Sequence, residues 1–231
     1  MASEVDICNL ALANLGDAAN LQSINPPDGS AQADHCSRFY PIARDALLEM
    51  HDWGFAMKRA ALAQLANPTT EWAYCYAQPT DLLNTIAVMA PDASDDTSAG
   101  FQSITNMALM TTAFVGGVYT PQPYVLESAA DGTDIIYANQ QNAVLRYCAR
   151  VTDTSKFSPL FVRALAASLA SMLAGAVVKG EAGMASAARW EGIAFGRDGK
   201  SGLFGRAAAS DASQKRVTTR DRQAVSWINA R

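Results

Sequence analysis

The feature that most restricts this chain is the run Leu160–Lys179, LFVRALAASLASMLAGAVVK, which is apolar on nearly every side when wound at helical period. A helix with one apolar stripe lies on a core, whereas a helix apolar all round must be surrounded by other elements. Its ends are well marked. Ser158 is placed to cap the first turn, Pro159 takes the first helical position, where the missing N–H has no partner to lose, and Gly180 stops it. The many Ala, Ser and Gly residues let neighbouring helices come close. The uncharged part of the run, residues 164–178, is shorter than the about 20 residues a membrane span requires. The remaining sequence therefore has to supply partner helices.

Two of them are legible upstream. Val5, Cys8, Leu12 and Leu15 form one stripe, Ser3 with Asp6 is a capping pattern, and Gly16 is a stop. A polar loop containing Pro26-Pro27-Asp28-Gly29 follows. From about Ser30 to Trp53, residues Cys36, Tyr40, Ala43, Leu47 and Met50 recur at helical intervals, with Pro41 expected to kink the helix. A further helix over about 181–195 is predicted after the long apolar one. In between, the period changes. Trp72, Tyr74 and Tyr76 alternate, 82–89 is short and mixed, and 124–127, 134–138 and 144–151 read as strands joined by turns. Residues 90–120, rich in Thr, Ser and Gly, read as loops with weak strands.

Charge divides the chain. Residues 1–150 carry 6 Lys+Arg against 16 Asp+Glu, a net of −10, and residues 151–231 carry 12 against 6, a net of +6. An acidic body with a basic end implies two faces for different partners. Cys8, Cys36, Cys75 and Cys148 are scattered without a C-x-x-C pair, and the three flanked by apolar residues read as buried thiols of a reducing compartment. The opening MASEVD places acids where an export signal needs positive charge.

One stretch invites a catalytic reading. Residues 194–201, AFGRDGKS, fit the loosest P-loop pattern, whose backbone amides cradle phosphates between a buried strand and a helix N-terminus. The preceding SAARWEGI reads as helix, and the following GLFGRAAASDAS reads as a poor helix. Asp198 would oppose a polyanion inside the cradle. A glycine loop without nucleotide chemistry is expected. His35 and His51 lie about 24 Å apart along one helix, so they cannot share a metal. His51 beside Asp52 reads as a surface histidine. Asp92, Asp95 and Asp96 lack the Gly and terminal Glu of a calcium loop and read as solvated. No catalytic residue, cofactor or metal is expected.

The runs ICNLALANLGD (7–17), ADHCSRFYPIARDALLEMHDWGFAMKRAALA (33–63), WAYCYAQPTDLL (72–83) and AVLRYCARVTDTSKFSPLFVRALAASLASMLA (143–174) resemble, in order and spacing, the tail tubular protein A family of short-tailed bacteriophages. The resemblance covers most of residues 5–180, weakens at 90–125 and again after 185. It implies a head-to-tail adaptor: a mostly helical domain with a β-rich insertion, assembled as a twelve-fold ring around the DNA channel. The portal lies above, and the tail nozzle and fibres below. It transfers no catalytic residue. The implied location is the virion's head–tail junction, reached through the host cytoplasm.

Together these readings give a mainly α (α+β) fold. A helical bundle core spans 1–63 and 152–196, a β-rich insertion spans 64–151, and an extended basic arm spans 197–231. Phe157, Phe161 and Leu165 are expected to form a local packing stripe. Phe161, Leu165, Ala167 and Ala174 are expected at a subunit interface, since a lone bundle would leave part of so apolar a helix uncovered. Lys215, Arg216, Arg220, Arg222, Trp227 and Ile228 are expected to dock on the portal, an aromatic flanked by Arg being the composition of a binding hot spot. Two other classes remain: a DNA-binding or tail nozzle component, which needs a basic face, and a P-loop enzyme.

Overall fold

The computed structural model describes residues 2–18, 20–91, 122–199 and 201–215. The first helix, α1 (Glu4–Asn14), starts on the expected capping box. Ser3 Oγ accepts the Asp6 amide at 3.1 Å, and Asp6 Oδ2 accepts the Ser3 amide at 2.8 Å. Its end closes on Gly16 at φ +80°, where the Gly16 amide reaches the Ala13 carbonyl and the Asp17 amide reaches that of Leu12.

Helix α2 (Ala31–Glu49) is capped by Ser30 and carries Pro41 inside it. It stops short of Trp53 because the chain folds back there. The Trp53 indole donates to the Leu47 carbonyl at 2.8 Å, satisfying one of the acceptors a helix end leaves open. The buried ring then anchors an aromatic cluster, with Phe161 at 4.9 Å edge-on and Phe55 at 5.7 Å, and Phe157 packing on both phenylalanines. The expected stripe of Phe157, Phe161 and Leu165 is buried within this core.

Among the described residues seven strands follow: β1 (Met57–Ala61), β2 (Gln64–Leu65), β3 (Tyr74–Ala77), β4 (Leu82–Met89), β5 (Tyr124–Ser128), β6 (Asp134–Ala138) and β7 (Val144–Ala149). They form two antiparallel sheets, ordered β1-β7-β4 and β2-β3-β6-β5. The sheets share a core of Tyr76, Ile136 and Ala138 from one and Val88, Leu145 and Tyr147 from the other. The chain crosses between them at 62–64, where the Leu62 amide bonds Ala143 and the Ala77 amide bonds Ala63. The helical unit expected to run to residue 63 is therefore corrected. Met57–Ala61 is a strand, paired in register from Met57 opposite Cys148 to Ala61 opposite Val144. The mixed run 82–89 is also a full strand, whose register shifts twice against β7.

After a short 3₁₀ turn, α3 (Pro159–Val177) is capped by Ser158 and surrounded as its composition requires, by α1, α2, α4 (Gly180–Phe195) and α5 (Leu203–Lys215). Gly183 lets α4 lie close on α3: a Cβ there would stand 3.0 Å from the Ala174 carbonyl oxygen. By length and a mean hydropathy of 1.8, α3 equals a membrane span, but the other helices bury more than half of it. The described chain is 44% helical and 21% strand, an α+β fold.

The expectation that 197–231 is an extended arm is corrected over Leu203–Lys215, which is helix α5. Phe204 and Ala207 are buried in the helical core, and Asp211 continues the same face. The Ser and Asp residues of this segment are indifferent helix formers, but packing of one apolar face supplies most of a helix's stability in a protein.

Candidate functional site

The AFGRDGKS stretch joins two helices, α4 and α5, and no strand precedes it. Its two glycines, Gly196 and Gly199, both hold positive φ, and Gly196 is crowded as well, as is Gly202 just beyond the stretch. Gly196 sits at φ +74°, and a Cβ on it would fall 2.1 Å from Ser201 Oγ. A Cβ on Gly202 would fall 2.5 Å from the Ala194 carbonyl oxygen. The Ser201 amide, which would face phosphate in a P-loop, donates to the Phe195 carbonyl at 3.1 Å and to Asp198 Oδ1 at 2.9 Å. These contacts build a tight helix–helix turn. The helix read before the motif is observed; the poor helix read after it is instead the well-packed α5.

His51 is not the surface histidine its neighbours suggest, and Asp52 is not its partner. Its Nε2 lies 3.1 Å from Asp211 Oδ2, and its ring stands edge-on to Trp53 at 4.7 Å. His35 stacks on Phe39 at 6.5 Å. Among the described residues no group of three His, Cys, Asp or Glu is gathered to hold a metal. Asp92, Asp95 and Asp96 lie outside the described residues. All four cysteines are buried free thiols, Cys75 included; Cys148 Sγ donates to the Leu48 carbonyl at 3.3 Å.

The four residues assigned to a subunit interface, Phe161, Leu165, Ala167 and Ala174, are at most 1% exposed within the single chain. Their reading as a surface awaiting a neighbour is corrected. Helices α4 and α5 cover the side of α3 that looked unpartnered, and α5 was not foreseen. Of the residues assigned to portal docking, Lys215 ends α5, its side chain undescribed, and Arg216, Arg220, Arg222, Trp227 and Ile228 lie outside the described residues.

The structure draws attention to a cleft that the sequence did not single out. It measures about 540 Å³, lies between the first turn of α1, the Ile24–Pro27 turn and the middle of α2, and is lined by Glu4, Ile24, Ser37, Tyr40 and Arg44 among others. Arg44 and Tyr40 are one helical turn apart, and the guanidinium lies 5.9 Å from the ring centroid. Arg44 Nε pairs with Asp45 Oδ1 at 2.8 Å, and the other oxygen of Asp45 takes Arg150 Nε at 2.9 Å. The Tyr40 hydroxyl is buried without a hydrogen-bond partner among the described residues. Burial, and then the charge of Glu4, push its pKa up, so the hydroxyl keeps its proton and acts as a donor. The overlooked signal was a charged residue four positions after Tyr40, beside Ala43 of the apolar stripe.

Compared with protein-family models and with curated proteins, the chain matches none.

Proposed function

We propose that this chain is a structural head-to-tail adaptor of a short-tailed bacteriophage, forming a ring below the portal through which DNA passes to the tail nozzle. One observation carries the reading. The four sequence blocks that resemble the tail tubular protein A family, dispersed from residue 7 to residue 174, pack against one another as a single body. The first is α1, the second α2 and β1, the third β3 with the start of β4, and the fourth β7 and α3. Ile7 and Leu12, Tyr40 and Leu47, Cys148, and Phe161 and Leu165 share one core, and β1 pairs with β7 along its whole length.

A ring requires one patch of each copy to meet a different patch of the next. Here it must use surface that the fold leaves open, where Leu10, Ile42, Met50 and Met184 are exposed apolar side chains. The acidic balance of residues 1–150 suits a channel wall or outer face that does not grip DNA, because each neutralised phosphate adds salt-dependent affinity. The portal contact falls to the basic, Trp227-containing stretch after α5.

Electron micrographs of the purified protein, alone and with a phage portal, test this directly. Rings that stack on the portal are expected. A protein monomeric in both conditions contradicts the proposal. Ending the chain after residue 215 preserves α5 and should leave rings intact while abolishing portal attachment; undiminished attachment would remove the docking role.

A further inference from the structure

We propose that the outer edge of β5 is an interface through which two copies of this chain pair, β5 against β5, into a two-fold dimer. The adaptor reading is not needed for it. The apolar side chains offered for a ring contact lie on α1, on α2 and its end, and on α4, whereas β5 closes one side of the four-stranded sheet. The ladder of that sheet fixes which groups point outward. The Ala129 amide reaches the Thr133 carbonyl at 2.8 Å, and in the same register Glu127 stands opposite Ile135 and Val125 opposite Tyr137. Bonded and non-bonded pairs alternate along an antiparallel ladder. Val125, Glu127 and Ala129 therefore bond toward β6, while the amides and carbonyls of Tyr124, Leu126 and Ser128 turn away from it. The far side of β6 agrees: the Gln78 amide takes the Asp134 carbonyl at 3.0 Å, leaving Ile135 and Tyr137 to face β5. Among the described residues the outward groups of β5 take no backbone hydrogen bond.

The other edges are guarded and this one is not. A row of open backbone donors and acceptors is a template for another strand, and folded proteins blunt it with short strands, bulges or basic side chains. β2 is two residues long, β4 shifts register twice against β7, and β1 carries Lys58 and Arg59. β5 runs for five residues in unbroken register with β6, from Tyr124 opposite Ala138 to Ser128 opposite Asp134, with no bulge, proline or basic residue. Leu126, Glu127 and Ser128 are exposed, and Leu126 is 43% open to solvent.

The occupant is a second copy because the strand is complementary to itself. With the two strands antiparallel and Leu126 on the two-fold axis, Leu126 exchanges hydrogen bonds with Leu126 of the second copy, and Tyr124 with its Ser128. Every outward group of β5 then has a partner, with the reciprocity a two-fold contact demands. The side chains agree. Leu126 meets Leu126, and Glu127 stands opposite Val125. Sliding the strands until Glu127 reached the axis would set like charges directly opposite, which is destabilising. Sliding them the other way leaves Ser128 without a partner. Glu127 thus selects the register. Leu126 shares a sheet face with Ile136 and Tyr76 of the core between the sheets, so pairing extends that apolar face from one copy into the next. An edge this short buries less surface than a permanent interface does, and the dimer is a reversible one.

The test is sedimentation velocity of the full chain over a concentration series, with non-reducing gels of Leu126→Cys. A concentration-dependent dimer is expected. Facing α-carbons of a bonded antiparallel pair lie about 5.5 Å apart, within disulfide reach. The native thiols are all buried, so Leu126→Cys should cross-link one copy to another, whereas Ala130→Cys, exposed in the following turn, should not. Leu126→Pro removes an outward amide and none from the β5–β6 ladder. It should melt like the wild type while weakening the dimer by about tenfold, one hydrogen bond being lost from each copy. Leu126→Lys keeps the amide but sets two cations together on the axis. It should weaken the dimer as well, and it decides the matter if the proline variant does not fold. A monomer at every concentration with no cross-link in Leu126→Cys overturns the interface. So does a dimer that survives both Leu126→Pro and Leu126→Lys, or equal cross-linking at positions 126 and 130. Rings formed without the cross-link sink the β5 edge and spare the adaptor reading; a cross-linked dimer without rings does the reverse.

Discussion

Asp211 holds Gly54: the carboxylate of the α5 residue accepts the Gly54 amide at 3.0 Å, across 157 positions of sequence. The same carboxylate lies 3.1 Å from His51 Nε2. One acidic side chain thereby fastens the last described helix to the turn that ends α2, beside the Trp53 cluster. Asp211→Ala should cost about 1.5–3 kcal/mol, the range of a hydrogen bond to a charged group. Urea unfolding would read the loss, and amide exchange across 203–215 should quicken with it. Unaltered exchange in α5 would show that Phe204 and Ala207 hold the helix without the clamp.

Burial of α3 within one chain changes what substitutions on it report. Ala167→Glu and Ala174→Glu each place an unpaired charge at a position at most 1% exposed. Each should destabilise the isolated protein by about 3–5 kcal/mol, the usual consequence of an uncompensated buried charge. Thermal melts at a concentration below any assembly would measure it. Melting as in the wild type, with only ring formation lost, would return these residues to an interface.

The α4–α5 turn and the outer face of α4 make opposite demands on glycine. Gly196→Ala forces a side chain into a left-handed conformation and onto Ser201, so stability should fall by more than about 1 kcal/mol. Gly192, exposed within α4, faces open space: a Cβ added there would meet nothing within 4 Å. Gly192→Ala should raise stability by about 0.5–1 kcal/mol through helix propensity and chain entropy. Paired melting curves decide both signs.

Asp28 gives the fold an acid limit. The Ser30 hydroxyl at 2.6 Å, with the Gln22 and Ser30 amides at 3.0 Å each, draws its pKa down to about 2 from an ordinary 3.8. Between those values the unfolded chain binds the proton and the folded chain does not. The stabilisation is therefore complete above about pH 4 and is lost as pH falls toward 2. Asp28→Asn should flatten this part of the stability–pH curve. Equal acid sensitivity in both proteins would show that other carboxylates govern it.

Much of the helical framework was legible. The capping box at Ser3, the Ser30 and Ser158 caps and the all-round apolar character of 160–179 act through neighbours in sequence, so the residues display them without reference to the fold. The strands read at 124–127, 134–138 and 144–151 announced themselves by the turns between them, Asp131-Gly132 and 139–142, and are observed at 124–128, 134–138 and 144–149. β1 did not, since MKRAA has neither alternation nor apolar weight and becomes a strand because β7 offers it a hydrogen-bonding edge.

The cleft and α5 belong to the second kind. Tyr40 and Arg44 are one turn apart on α2, but Glu4 meets them only because α1 and α2 both pack on α3, and nothing local to Glu4 points to either. In α5, a Gly-, Ser- and Asp-containing stretch of middling propensity becomes ordered because Phe204 finds the aromatic cluster and Asp211 finds Gly54. Sequence alone determined that a helix apolar on all sides had to be enclosed, because burial of apolar surface is a property of the residues themselves. Tertiary structure decided what enclosed it. Here that was the chain's own α4 and α5, since the free energy of a long-range contact depends on which surfaces the fold brings within reach.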